Sequence, residues 1–327
     1  MERHRVAVTF APADELAQAV DDVLEGVATL TYLADVADEE RAATLASADA
    51  VLGWNLNTEL RSPEEFEALA PAGFVQLLSA GVDKVPFDRI PQGVAVASNS
   101  GAFADPMAEH VLAMSLALAK LLPQNHAALA HGSFNQQIPT RAVRGAVAGI
   151  LGFGGIGQAS ARLFRGLGAH IHAINTSGET DEPVEWIGTL RDLDALLTAA
   201  DFFVISLPLT RATRGLIGER ELALMKPEAI LVNVARGAVV DEDALYEHLR
   251  RSPSFSAGID TWWQEPRGND SFSTRRPFFE LPNVLGSPHN SGGTAGALGA
   301  AAGHGAENVL RYLRGEPPRH VVDRSAY

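Results

Sequence analysis

Cysteine is absent from all 327 residues, which excludes disulfides, thiolate-held metals and a cysteine nucleophile and fits a reducing compartment. Long apolar runs are missing as well, and no stretch approaches the roughly 20 residues that a membrane-spanning helix requires. Basic charge is scarce: 26 Lys and Arg stand against 40 Asp and Glu, a formal net charge of −14. Phosphate backbones and anionic lipids select basic surfaces, so neither nucleic acid nor membrane is an expected partner. A small anionic substrate is not excluded, because one or two local cations suffice for it. The opening MERHRVAVTF holds a short apolar run with Pro12 soon after, which is not the pattern of a signal peptide. A cytoplasmic protein without a metal site is the expectation.

What is present is a glycine-rich turn inside an apolar frame. Residues 145–175 read GAVAGILGFGGIGQASARLFRGLGAHIHAIN. A β-type run at 146–151 leads into Gly152, Gly154, Gly155, Ile156 and Gly157, a helical run follows at 158–167, and a second β-type run covers 171–174. This is G-x-G-x-x-G opening a helix within a βαβ unit. Gly152 permits the tight turn, Gly154 lets the chain approach a diphosphate, and Gly157 lets helix and strand pack closely. The diphosphate then rests on the unpaired N–H groups and positive dipole end of the helix. An acid that would grip the adenosine ribose is expected at the end of the second strand. The chain has Asn175-Thr176-Ser177 there instead.

The rest of the chain alternates apolar runs with amphipathic segments. Strands are predicted at 6–10, 28–33, 50–53, 74–78 and 94–97, with helices at 12–24, 39–46 and 63–69. A second block carries strands at 202–207, 230–234, 255–259 and 284–286 and helices at 192–200, 219–225 and 242–250. That rhythm means parallel βα units, hence an α/β fold of two doubly wound parallel sheets. A long apolar helix at 100–122 reads as buried on most sides, running between domains or into a subunit interface. His110 within it reads as a core histidine, whereas His126 and His131 face solvent. Residues 265–277 read as a polar loop, and the helix ending near Arg314 packs back on the first block.

Three chemically capable residues fall at the C-terminal ends of second-block strands, the edge where such sheets bind ligands. Arg236 closes ILVNVARG, Glu265 follows SFSAGIDTWWQEP, and His289 follows NVLGSPH. A protonated histidine can deliver a proton to a carbonyl oxygen that gains charge during hydride transfer, and a neighbouring carboxylate orients it. An arginine fork can clamp a substrate carboxylate. Asp260 could receive a nicotinamide carboxamide or support a neighbouring helix.

These stretches resemble the D-isomer-specific 2-hydroxyacid dehydrogenase family. The resemblance is carried by ILGFGGIG, DFFVISLPLTRATRGLIG, LALMKPEAILVNVARGAVVDEDAL, AGIDTWWQEP and LPNVLGSPH, with AEHVLAMSLAL similar to the interdomain helix and SAGVD to the substrate loop. It covers about residue 79 to the last helix. It implies a Rossmann NAD(P)-binding domain at 100–289, inserted in a discontinuous flavodoxin-like substrate domain at 1–99 and 290–327. Arg236 then binds the substrate carboxylate, His289 is the general acid/base and Glu265 its partner, while Ala80 and Gly81 offer backbone N–H groups. Leu207, Pro208, Val234, Ala235, Arg236, Asp260 and His289 would border the cofactor, and Trp54 the substrate. A homodimer is implied, and the extra regulatory domain of long phosphoglycerate dehydrogenases is not expected.

Departures from the family pattern are informative. D-V-F-E-x-E-P reads Asp260-Thr261-Trp262-Trp263-Gln264-Glu265-Pro266, and P-H-I-A/G reads Pro288-His289-Asn290-Ser291. The two indoles either reshape the substrate pocket or a subunit contact, or pack beneath the loop. Glu265 argues against the formate branch, which uses Gln. Asn175 removes the charge that repels a 2′-phosphate, yet no Lys or Arg stands at 176–179 to bind one, so the reading leans to NAD with NADP weakly discriminated. A non-catalytic dinucleotide sensor similar to corepressors, and a phosphite-type dehydrogenase, are the rival readings.

Overall fold

A parallel strand covered on both faces must be apolar on both, and the runs at 50–53, 202–205 and 230–233 are buried at every position. The computed structural model describes residues 3–11, 13–266 and 270–327. The helix start expected at Pro12, and residues 267–269 of the loop expected at 265–277, lie outside the described residues. The chain divides into two compact units, Met1–Phe103 with Gly293–Tyr327 and Ala104–Gly292. No described helix is long and apolar enough to cross a membrane.

The first unit runs β1 (His4–Val8), α1 (Asp14–Leu24), β2 (Ala28–Tyr32), α2 (Arg41–Ala46), β3 (Ala50–Gly53), α3 (Leu56–Glu59), α4 (Pro63–Glu67), β4 (Phe74–Leu77) and β5 (Ala95–Ala97). Its strands form one parallel sheet in the order β2-β1-β3-β4-β5, the flavodoxin-like order. β3 (AVLG) and β4 (FVQL) are buried at every position. In α1, Leu16, Val20 and Leu24 recur every fourth residue and are the buried face. Burial of one such leucine contributes about 1.5–3 kcal/mol.

One feature of this unit was not foreseen. Arg41 is 1% exposed, yet its guanidinium is satisfied. It donates from Nε and Nη2 to the two carboxylate oxygens of Glu65 at 2.7 and 3.1 Å, and to the carbonyls of Leu33 and Glu59 at 2.7 Å each. This fork ties α2 to α4, to the end of α3 and to the turn at Leu33.

The second unit runs α5 (Ala104–Ala119), α6 (Leu122–Ala130), β6 (Val147–Leu151), α7 (Gly155–Gly166), β7 (His170–Ile174), β8 (Trp186–Gly188), α8 (Leu193–Ala199), β9 (Phe202–Ile205), α9 (Glu219–Leu224), β10 (Ile230–Asn233), α10 (Glu242–Arg251), β11 (Ser256–Ile259) and β12 (Val284–Gly286). All seven strands are parallel, ordered β12-β11-β10-β9-β6-β7-β8. Sequence order reverses between β6 and β9, which makes the crevice at their C-terminal ends the switch point where such sheets hold nucleotides. α11 (Ala297–Leu313) returns to the first unit and lies along α1.

One expected boundary is corrected here. The apolar helix does not reach Leu122: it ends at Ala119, Leu121 adopts a left-handed φ of 53°, and α6 starts afresh. Much of its apolar surface is taken up inside its own unit, against α7, β10 and β11. The short strand β8 was also missed, since three residues show no readable alternation.

Candidate active site

The glycine turn sits between β6 and α7. Gly152 has φ 102°, and a Cβ there would lie 2.5 Å from the Leu207 backbone nitrogen. A Cβ on Gly157 would run into the carbonyl oxygen of Gly152. Both positions therefore require glycine. Gly154 caps α7 with no side-chain hydrogen bond to the first turn, leaving the N–H groups of Gly155, Ile156 and Gly157 without intrahelical acceptors. A Cβ on Gly154 would meet nothing within 4 Å. Open space, unpaired amides and the dipole end together fit a dinucleotide diphosphate.

The ends of neighbouring strands supply the reactive groups. Arg236 follows β10 and is half-buried, with Nη1 donating to the Ala235 carbonyl at 2.7 Å. Glu265 lies in the loop after β11, and His289 follows β12. The Nδ1 of His289 is 2.8 Å from Oε1 of Glu265, with the two side chains 37% and 25% exposed. Glu265 is itself held, because its Oε1 accepts the backbone N–H of Trp262 at 3.2 Å. With Nδ1 directed at a carboxylate, Nε2 is the nitrogen left to exchange a proton.

The two indoles are packing elements. Trp262 is 6% exposed and donates from Nε1 to the Ser287 carbonyl at 2.9 Å. Trp263 stacks on Phe278 at 5.4 Å and donates to the Val240 carbonyl at 2.7 Å. A Cβ on Gly237 would lie 2.5 Å from the Trp262 carbonyl carbon, so the residue after Arg236 must be small for this loop to seat. The indoles thereby brace the segments that carry Arg236, Glu265 and His289.

The other residues expected to border the cofactor differ in burial and in hydrogen bonding. Asp260 is fully buried, and its carboxylate accepts from the Ser287 hydroxyl at 2.6 Å, the Asn290 N–H at 3.1 Å and the Ser291 N–H at 3.3 Å. In these bonds it stitches the His289 turn. Asn175 is also spent locally. Its Nδ2 donates to the Glu179 carbonyl at 2.7 Å and its Oδ1 accepts the Gly178 N–H at 2.7 Å, so it shapes its own loop. Ser177 bonds within that loop as well, at 3.2 Å to the Glu179 carbonyl, which leaves the exposed Thr176. Val234 and Ala235 have buried side chains and offer a ligand only their backbone. Leu207 is buried behind the glycine turn, while Pro208 is exposed.

Trp54, Ala80 and Gly81 belong to the first unit. Trp54 follows β3, is 37% exposed and stands edge-on to Phe10. Ala80 and Gly81 are half-buried in the loop after β4. Sequence reasoning missed Ser287 and its bond to His110, whose Nε2 is 2.9 Å from the Ser287 hydroxyl. The only signal in sequence was a histidine in an otherwise apolar helix.

Residues 112–291 match the D-isomer specific 2-hydroxyacid dehydrogenase, NAD binding domain. The chain belongs to this family. Its second unit thus carries the NAD-binding domain of the D-2-hydroxyacid dehydrogenases. A glyoxylate reductase from Thermococcus gammatolerans is 40% identical over 182 residues, 56% of this chain and 53% of that protein. The glyoxylate reductase from Thermococcus litoralis is 31% identical over 255 residues, 75% of each chain. The match thus spans about half of the first relative and three quarters of the second. In fold, the NAD-complexed D-isomer specific 2-hydroxyacid dehydrogenase from Lactobacillus delbrueckii is similar, with a TM-score of 0.80 at 20% identity over 98% of this chain and 100% of that one.

Proposed function

We propose that this chain reduces a 2-keto acid to a D-2-hydroxy acid with NAD(P)H, reversibly. The observation that carries the reading is the His289–Glu265 pair at 2.8 Å, on the strand edge that also holds Arg236 and the glycine cradle. A nicotinamide dinucleotide held at the turn of Gly152, Gly154, Gly155 and Gly157 would supply the hydride. His289 donates the matching proton from Nε2 to the keto oxygen, so keto acid, reduced cofactor and one proton become hydroxy acid and oxidised cofactor. Glu265 holds the imidazole by Nδ1, and Arg236 clamps the substrate carboxylate and helps polarise the carbonyl.

In this reading the second unit binds the dinucleotide and the first is the substrate domain, with Trp54, Ala80 and Gly81 as its candidate contacts. NAD(H) is favoured, because no cation stands at 176–179 to pair with a 2′-phosphate. The protein works in the cytoplasm, where the reduced cofactor pool is, and as a homodimer. A monomer by light scattering would contradict the last point.

The test follows oxidation of NADH and NADPH with glyoxylate, hydroxypyruvate, pyruvate, 2-ketoisocaproate and phenylpyruvate. Turnover of any of them with NADH supports the reading. Cofactor binding without turnover favours a sensor or phosphite chemistry, and a preference for NADPH beyond about a hundredfold, ~2.7 kcal/mol, overturns the cofactor assignment.

A further inference from the structure

His289 has a left-handed φ of 51°, a backbone conformation that disfavours non-glycine residues. Something must hold it there. The turn at 287–291 is gathered onto Asp260, whose carbonyl accepts the His289 N–H at 2.9 Å. The Asp260 carboxylate takes the Ser287 hydroxyl and the Asn290 and Ser291 N–H groups. A fully buried carboxylate is costly unless hydrogen-bonded and compensated. His110 of α5 supplies a further element, with Nε2 2.9 Å from Ser287 Oγ and 3.7 Å from Asp260 Oδ1.

Proton accounting decides the direction of this chain. An ionised carboxylate only accepts, so the single hydroxyl proton of Ser287 goes to Asp260. The Ser287 oxygen must then accept from His110, which places a proton on Nε2 of that ring. His110 thereby fixes the rotor of Ser287, Ser287 fixes Asp260, and Asp260 fixes the turn that presents His289.

We propose that His110 and Ser287 are positioning residues for the acid/base histidine, acting through Asp260. The inference rests on the reading of His289 given above. Loss of either group frees the Ser287–Asp260 bond and loosens the imidazole of His289 against Glu265. The effect belongs to proton delivery and not to cofactor binding, because the glycine cradle lies on other strands.

The test uses the full chain with the best keto acid of the panel. His110→Phe and Ser287→Ala are expected to lower kcat about tenfold, since misplacement of a reacting group by 1 Å costs up to ~100-fold. The NADH Kd and keto-acid KM should move less than about twofold in the same variants. His110→Gln and Ser287→Thr, which keep a donor and a hydroxyl, should recover most of the loss. The double variant His110→Phe/Ser287→Ala should be no slower than the worse single one, as for residues acting in one chain. In ¹⁵N-histidine spectra, the His110 ring should be protonated at Nε2, and Ser287→Ala should change that signal.

Wild-type kcat in His110→Phe or Ser287→Ala, additive losses, or no recovery by the conservative variants would overturn the proposal. Should His110→Phe fail to fold, the Ser287→Ala and Ser287→Thr comparison decides alone. Absence of turnover in the wild-type chain would instead bring down the reading of His289 and this inference with it.

Discussion

The Nδ1 of His289 lies 2.8 Å from Glu265 Oε1, the same oxygen that accepts the Trp262 N–H. The carboxylate is thus held from its own loop before it orients the imidazole. On the proposed role of His289 as proton carrier, His289→Ala is expected to lower kcat by about 10²–10⁴. Glu265→Gln keeps the shape and loses the charge, so its loss should be smaller. Steady-state kinetics of both variants check the order; a Glu265→Gln loss exceeding that of His289→Ala would reverse the assigned roles.

Arg236 extends from the segment after β10, where Gly237 lets the Trp262 backbone approach. An arginine fork binds a carboxylate through two parallel bonds, which lysine cannot reproduce. Arg236→Ala is expected to raise the keto-acid KM strongly and to lower kcat. Arg236→Lys should recover little of either, and unchanged kinetics would remove the clamp.

Asn175 spends its amide on Glu179 and Gly178. An aspartate there keeps the acceptor for the Gly178 N–H but adds a charge that repels a 2′-phosphate. Asn175→Asp is therefore expected to shift preference towards NADH by about tenfold, ~1.4 kcal/mol. The ratio of kcat/KM for the two cofactors measures it, and a shift towards NADPH would contradict the argument.

The buried Arg41–Glu65 fork gives a stability prediction with a pH sign. Burial pushes the Glu65 carboxyl up, but hydrogen bonds from Arg41 and the Arg61 N–H outweigh it, so the net displacement is below the ordinary 4.5. A carboxyl lowered on folding contributes stability that is fully present above the unfolded value and is lost as pH falls through the folded one. Glu65→Gln leaves Arg41 buried without its charge partner and should cost about 3–5 kcal/mol at neutral pH. Denaturant unfolding below pH 4.5 should show wild type and variant converging. A constant gap would mean that the pair does not titrate.

Thr261 is fully buried and its hydroxyl has no partner among the described residues. Valine has the same shape without the orphaned polar atom. Thr261→Val is expected to stabilise the protein by about 1 kcal/mol, seen as a raised denaturation midpoint, with catalysis retained. A destabilised variant would mean that the hydroxyl has a partner.

Local pattern determined a good deal of this protein. Apolar runs alternating with amphipathic segments announced two parallel sheets, because a strand buried on both faces must be apolar throughout. Gly152 and Gly157 were legible because steric demand at a tight turn leaves glycine alone. Arg236, Glu265 and His289 stood out because each follows an apolar strand run, and strand ends in such sheets come together on one edge. Tertiary structure decided the rest. The bonds from Asp260 to the turn after β12, and those of Asn175 within its own loop, could not be read from the residue types alone. The Arg41–Glu65 fork, the bracing by Trp262 and Trp263, and the His110–Ser287 bond join residues far apart in sequence. Hydrogen-bond partners of that kind carry no periodicity; they exist only once packing has brought separate segments within about 3 Å of each other.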